Sequence, residues 1–149
     1  MIPDWKCKSF EELSVVELYA ILRLRNEVFV VEQNCAYQDA DDKDAASHHL
    51  AGWAGNTLVA YCRLLPPGVS YTGASIGRVV TSPAFRKLGH GRQLITTAIA
   101  CTRRLFSCNN ITISAQLYLK VFYEGHGFVQ VSHTYLEDDI AHIKMQLTT

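Results

Sequence analysis

Apolar and polar residues alternate from Trp5 to Lys8, which predicts a short opening strand. The period changes at Ser14. Ser14-Val15-Val16-Glu17 has capping-box spacing, and Leu18, Leu22, Arg25 and Phe29 then recur at helical intervals on one face. Arg25 is the odd member of that row. Residues 34–47 have no period, and most of the local charge lies in Asp39-Ala40-Asp41-Asp42-Lys43-Asp44. Strand-like runs at 50–53 and 57–65 flank Gly55-Asn56, a hairpin signal, and Pro66-Pro67-Gly68 stops the second run. A further strand at 75–81 ends before Pro83. A helix is expected over about 91–106, with Leu94, Ala98, Cys101 and Leu105 facing inward. The β-branched run 111–115 reads as a strand and 117–124 as a short helix closed by Gly125 and Gly127. Residues 128–136 and 142–147 read as a final antiparallel pair.

That order predicts one mixed α/β (α+β) domain over 1–149, with a central sheet and helices on its faces. A chain of 149 residues fits one domain. Lys plus Arg and Asp plus Glu each number 14, so the formal net charge is zero, which argues against a broad nucleic-acid or anionic-membrane surface. The five dispersed cysteines form no C-x-x-C pair and read as free thiols rather than a disulfide frame or zinc site. The N-terminus lacks the layout of a signal peptide, and no apolar run approaches the roughly 20 residues that cross a bilayer. A soluble, cytoplasmic protein is expected.

The chemistry begins at Arg86-Lys87-Leu88-Gly89-His90-Gly91-Arg92, between a strand and a helix. A helix leaves its first N–H groups unpaired, and its dipole adds roughly half a positive charge there. Glycines let an anion approach these amides, and Arg86, Lys87 and Arg92 add cations around them. The loop is neither a Walker loop nor a dinucleotide fingerprint, since no Gly-Lys-Ser/Thr follows and Leu94 stands where the third glycine belongs. Alone, the loop reads first as a turn before a helix and does not decide function.

Its context says more. Val79-Val80-Thr81-Ser82-Pro83 followed by Arg86-x-x-Gly89-x-Gly91 resembles the acetyl-CoA signature of the GNAT superfamily of N-acyltransferases. Gln116-x-x-Leu119-x-x-x-Tyr123, then Gly127-Phe128, resembles the superfamily's next motif. Val28-Phe29-Val30-Val31-Glu32-Gln33-Asn34-Cys35 and Tyr135-Leu136-Glu137-Asp138-x-Ile140-x-His142 are similar to a bacterial branch often called ElaA-like. The resemblance implies a mostly antiparallel sheet splayed between strands 76–81 and 111–115. The pantetheine arm of acetyl-CoA would lie in the gap, on the backbone of Val79, Val80 and Thr81, with the pyrophosphate on the amides of Lys87, Leu88, Gly89, His90 and Gly91. Gln116 stands where the family has asparagine, and Ser75 where some relatives carry a glutamate base.

Acyl transfer needs an acid for the departing thiolate and a base for the acceptor amine, whose reference pKa is about 10.4. The family counterpart of Tyr123 points at the thioester sulfur, which makes Tyr123 the expected acid, with core packing as the alternative. Glu32, His49, Glu137 and His142 are candidate bases, acting directly or through water. Glu32 is preferred because it lies just beyond the first helix, where the superfamily builds its acceptor site. His126 reads as a loop residue. A buried Arg25 requires a partner, either an acidic loop residue or an acidic group on the substrate, and Arg78 is similar. Asp39-x-Asp41-x-Lys43-Asp44 lacks the third ligand and the glycine of a calcium loop, so no metal is expected. The acidic run is either a solvated loop or a lure for a cationic acceptor. The predicted function is acetyl transfer from acetyl-CoA to a small-molecule or protein amine in a ternary complex, with a catalytically silent acyl-CoA sensor as the rival. A homodimer is left open.

Overall fold

The structure, a computed structural model, describes residues 2–148. The first strand, β1 (Asp4–Ser9), leads to α1 (Val15–Arg25). The capping box forms: Ser14 Oγ accepts from the Glu17 N–H at 3.0 Å, and the Glu17 carboxylate accepts from the Ser14 N–H at 2.8 Å. The inward face of α1 is not the expected one. Ile21, Leu24, Arg25 and Val28 are buried, whereas Leu18, Leu22 and Phe29 are half-buried. Both rows are apolar, so periodicity alone could not choose between them. The helix also widens into a π-helical turn, Asn26–Glu32, a form common at functional sites.

Strands β2 (His48–Ala54) and β3 (Thr57–Leu65) form the expected hairpin about Gly55-Asn56. Then come β4 (Ala74–Thr81), α2 (His90–Phe106), β5 (Asn110–Gln116), a 3-10 turn (Leu117–Leu119) and α3 (Lys120–Glu124). The last strands are β6 (Val129–Gln130), β7 (Tyr135–Glu137) and β8 (Ile140–Thr148). The expected single strand over 128–136 is therefore two short ones, both on β8. Ser132 interrupts it: its hydroxyl, rather than a backbone carbonyl, accepts from the Lys144 N–H at 2.8 Å.

The eight strands form one sheet in the order β1-β2-β3-β4-β5-β8-β6, with β7 also on β8. Every pairing is antiparallel except β4 with β5, which touch only at Ala74–Ile111 and Ser75–Thr112 and then part. This is the splay expected between 76–81 and 111–115. The sheet divides the core. Leu64, Leu94, Ile95, Ile111, Ile143 and Met145 pack on the side of α2, and Ile21, Leu24, Val28, Tyr61 and Val80 on the side of α1. Fully burying one such aliphatic side chain is worth about 1.5–3 kcal/mol. Among the described residues, no helix is long and apolar enough to cross a membrane.

Candidate active site

The parting of β4 from β5 leaves a cleft of about 500 Å³. Its β4 wall is shaped by a bulge. The register with β3 moves from Tyr61–Val80 to Arg63–Gly77, and Arg78 takes the left-handed φ of 51°. That conformation costs a non-glycine residue roughly 1–2 kcal/mol. Arg78 is held in it by contacts from residues 34–47. Its guanidinium lies over the Tyr37 ring at 5.5 Å, and its Nε is 2.8 Å from Asp39 Oδ1.

Those contacts belong to a larger cluster, which corrects both readings of the acidic run, a solvated loop and a lure for cations, and gives Arg25 the acidic loop partner expected of it. Arg25 donates to Asp39 and Asp44, each at 2.8 Å. Arg63 grips Asp41 with two bonds of 2.8 Å and donates to Asp44 at 2.9 Å. Arg25 and Arg63 are 0% and 3% exposed, so Asp39, Asp41 and Asp44 serve as counter-ions rather than as a surface for substrate. Burial opposes ionisation of Asp41, but Arg63, the Lys43 N–H and Arg78 outweigh it and hold the carboxyl below its usual range. Asp44 is likewise lowered, by Arg25 and Arg63 against its own burial. The sequence reading missed Arg63. Its signal was the same as that of Arg25, a charge inside an apolar run.

Val79, Val80, Thr81, Arg86, Gly91, Gln116, Tyr123, Glu32, Glu137 and His142 all line the cleft. Beyond Ser75, the edge of β4 that faces β5 has no strand partner. At the end of β4 the chain turns through Lys87 and Gly89, whose φ values are 66° and 84°, into the first turn of α2. Gly89 caps that helix without a side-chain hydrogen bond, so its first amides are left for a ligand. A Cβ on Gly91 would meet Thr81 Oγ1 and Phe122 only at 3.8 and 3.9 Å.

Lys87, Leu88, Gly89 and Arg92 lie exposed beside the cleft rather than in its wall. The side chain of His90 corrects its expected place. It is 3% exposed, packs on Phe85 with ring centroids 6.4 Å apart and leaves both ring nitrogens without a partner. Only its backbone N–H can serve an anion.

Tyr123 sits between Phe122 and Phe128 in edge-on contacts, and burial pushes its phenol above the ordinary value. It therefore keeps its proton at neutral pH. Gln116 reaches across the cleft, its Nε2 3.5 Å from Gln33 Oε1.

Glu32 accepts two bonds from Arg86, at 2.6 and 2.7 Å, which lower its carboxyl and make it a weak base. The pair ties the π-helical turn to the loop before α2. His49 is 1% exposed and away from the cleft; its Nε2 lies 3.0 Å from the Asp44 carbonyl and its Nδ1 2.7 Å from the Tyr61 hydroxyl. It is a structural residue and leaves the set of candidate bases. His126 packs on Phe122 with ring centroids 5.2 Å apart. Among the described residues, no group of three or more His, Cys, Asp and Glu could hold a metal ion.

A sheet splayed between two central strands beside an uncapped helix start is the architecture of an acyltransferase that takes its acyl group from coenzyme A. The profile of the Acetyltransferase (GNAT) domain matches residues 12–149, and the chain belongs to that family. It is 40% identical to the protein ElaA of Escherichia coli K12 over 144 residues, covering 95% of this chain and 94% of that one. The crystal structure of Escherichia coli ElaA superposes with a TM-score of 0.92 over 99% of both chains. An acyl-CoA N-acyltransferase from Pseudomonas aeruginosa, 46% identical, superposes with a TM-score of 0.94, covering 98% of this chain and 99% of that one.

Proposed function

We propose that this chain transfers an acetyl group from acetyl-CoA to an amine by direct attack in a ternary complex. The observation that carries the reading is the gap between β4 and β5 opening beside the uncapped first turn of α2. The gap offers unpaired backbone to the amides of the pantetheine arm, along Val79, Val80 and Thr81. The amides of 87–91 take the pyrophosphate, with Arg86, Lys87 and Arg92 as counter-ions. Gln116 faces the arm, and Tyr123 protonates the thiolate as it leaves. Free cysteines have no part in the transfer.

The test is isothermal titration of acetyl-CoA followed by a screen of amines for CoA release. Turnover of any amine supports the transferase; tight binding with none turned over would make the chain a sensor. In Gly91→Val, a side chain enters the phosphate approach while the nearest atoms leave room for its Cβ. Acetyl-CoA binding is expected to fall below detection with an unchanged circular dichroism spectrum. Binding like that of wild type would place the pyrophosphate elsewhere.

The Glu32–Arg86 pair competes with phosphate for Arg86. The two side chains are 42% and 40% exposed, so the pair is worth only about 0.2–1 kcal/mol. Glu32→Gln is therefore expected to tighten acetyl-CoA binding by up to about fivefold by the same titration. Unchanged affinity would show that Arg86 does not have to leave Glu32.

A further inference from the structure

We propose that His142 is the base that takes the proton from the acceptor ammonium, an inference that rests on the acyltransferase reading above. His142 is the third residue of β8, stands opposite Gln116 of β5 in the sheet register, is 6% exposed and lines the cleft. Its Nδ1 lies 2.7 Å from the Ile140 carbonyl oxygen. A carbonyl can only accept, so the neutral ring carries its proton on Nδ1, and Nε2 presents a lone pair. Nε2 has no hydrogen-bond partner among the described residues, and a carboxylate oxygen of Glu137 lies 3.4 Å from it. The ring is also fixed from the side. Tyr135 stacks on it at 6.1 Å and 21°, and the Tyr135 hydroxyl is bonded to Ser114 Oγ. Tyr135 and Glu137 of β7 face the ring, and Tyr71 interacts with both of them. The register partner of His142 on β5, Gln116, does not titrate.

The other bases considered are occupied or displaced. Glu32 is held by Arg86 in the free protein and, at 42% exposure, stands in water if Arg86 turns to phosphate; both nitrogens of His49 are engaged away from the cleft, and the Glu137 side chain is 52% exposed. His142 alone combines a fixed tautomer, a free lone pair and a place in the cleft.

The need for such a group is quantitative. An alkylamine with a reference pKa of about 10.4 is neutral in only about one molecule in 10³ at pH 7. His142 Nε2 accepts one proton from the ammonium, and Glu137 stabilises the resulting imidazolium. The freed nitrogen lone pair forms the C–N bond, the C–S bond breaks, and the thiolate takes the phenolic proton of Tyr123. The surplus proton on nitrogen restores Tyr123, and His142 releases its own to solvent.

The test compares wild type and His142→Gln with acetyl-CoA and two kinds of acceptor. One kind is ammonium at pH 7 (benzylamine, spermidine, lysine), and the other, methoxyamine, is uncharged there. His142→Gln is expected to lower kcat/KM for the wild type's ammonium-type substrates by about 10²-fold, with acetyl-CoA affinity unchanged. Its residual rate should climb tenfold per pH unit as more of the acceptor is already the neutral amine in solution, and methoxyamine should lose little. Equal losses on both kinds of acceptor, or no loss on either, would overturn the base while leaving the transferase standing. If wild type binds acetyl-CoA yet acetylates no amine, the transferase reading falls and this one with it. Nitrogen-15 NMR of the wild-type imidazoles decides the point independently of whether the variant folds. A proton on Nδ1 of neutral His142 is expected, and a proton on Nε2 would overturn the assignment.

Discussion

Tyr123→Phe is expected to lower kcat by about 10²–10⁴-fold, the usual worth of general acid catalysis, while acetyl-CoA affinity stays at the wild-type value. The phenol lies between Phe122 and Phe128, and the substitution keeps that ring packing. It removes only a proton that burial keeps on the oxygen through neutral pH. A fall in kcat without a change in binding identifies an interaction made in the transition state. The measurement is single-turnover kinetics with an acceptor found in the amine screen, under conditions where chemistry limits the rate. Full retention of kcat would make Tyr123 a packing residue and leave water to protonate the thiolate.

The other large effect is on stability. Asp44→Ala is expected to cost about 3–5 kcal/mol, because Asp44 bonds both Arg25 and Arg63 and its loss leaves buried positive charge uncompensated. Whole domains are stable by only about 5–15 kcal/mol, so urea denaturation should show a large loss. The same carboxylates set the acid limit. Asp41 and Asp44 have folded values below the unfolded reference of about 3.9. Their stabilisation is therefore complete above that reference and disappears as pH falls through the folded values. Wild type should weaken on acidification below about pH 4, and Asp44→Ala should show a shallower dependence. A cost under about 1 kcal/mol would mean that the ion cluster does not hold this loop in place.

Features written in contiguous residues were legible beforehand. The Ser14–Glu17 box, the Gly55-Asn56 hairpin and the strand–loop–helix at 75–106 each depend on neighbours in sequence. The splay was legible only through resemblance, since nothing local says that β4 and β5 separate after Ser75. What escaped depends on contacts across the fold. The inward row of α1 was ambiguous because two adjacent rows are apolar. The break at Ser132 comes from a hydroxyl accepting from another strand. The counter-ions of Arg25 were foreseeable in kind, but Arg63 as a sharer of Asp44 needed the register of β3. Glu32 was legible as a candidate base, but its pairing with Arg86, 54 residues away, was not. His142 was legible as a candidate base, but the contact of its Nδ1 with the Ile140 carbonyl two residues earlier was not.

The parting of β4 from β5 has a consequence for what the protein can join itself to. An unpaired strand edge on the outside of a sheet is a template for another chain and a route to aggregation. Here the unpaired length runs down the middle of the sheet, with strands on both sides of it. On the proposed reading, a slender molecule carrying amides at intervals would complete the ladder there, and a thioester of a simple thiol without such amides should be a poor acyl donor.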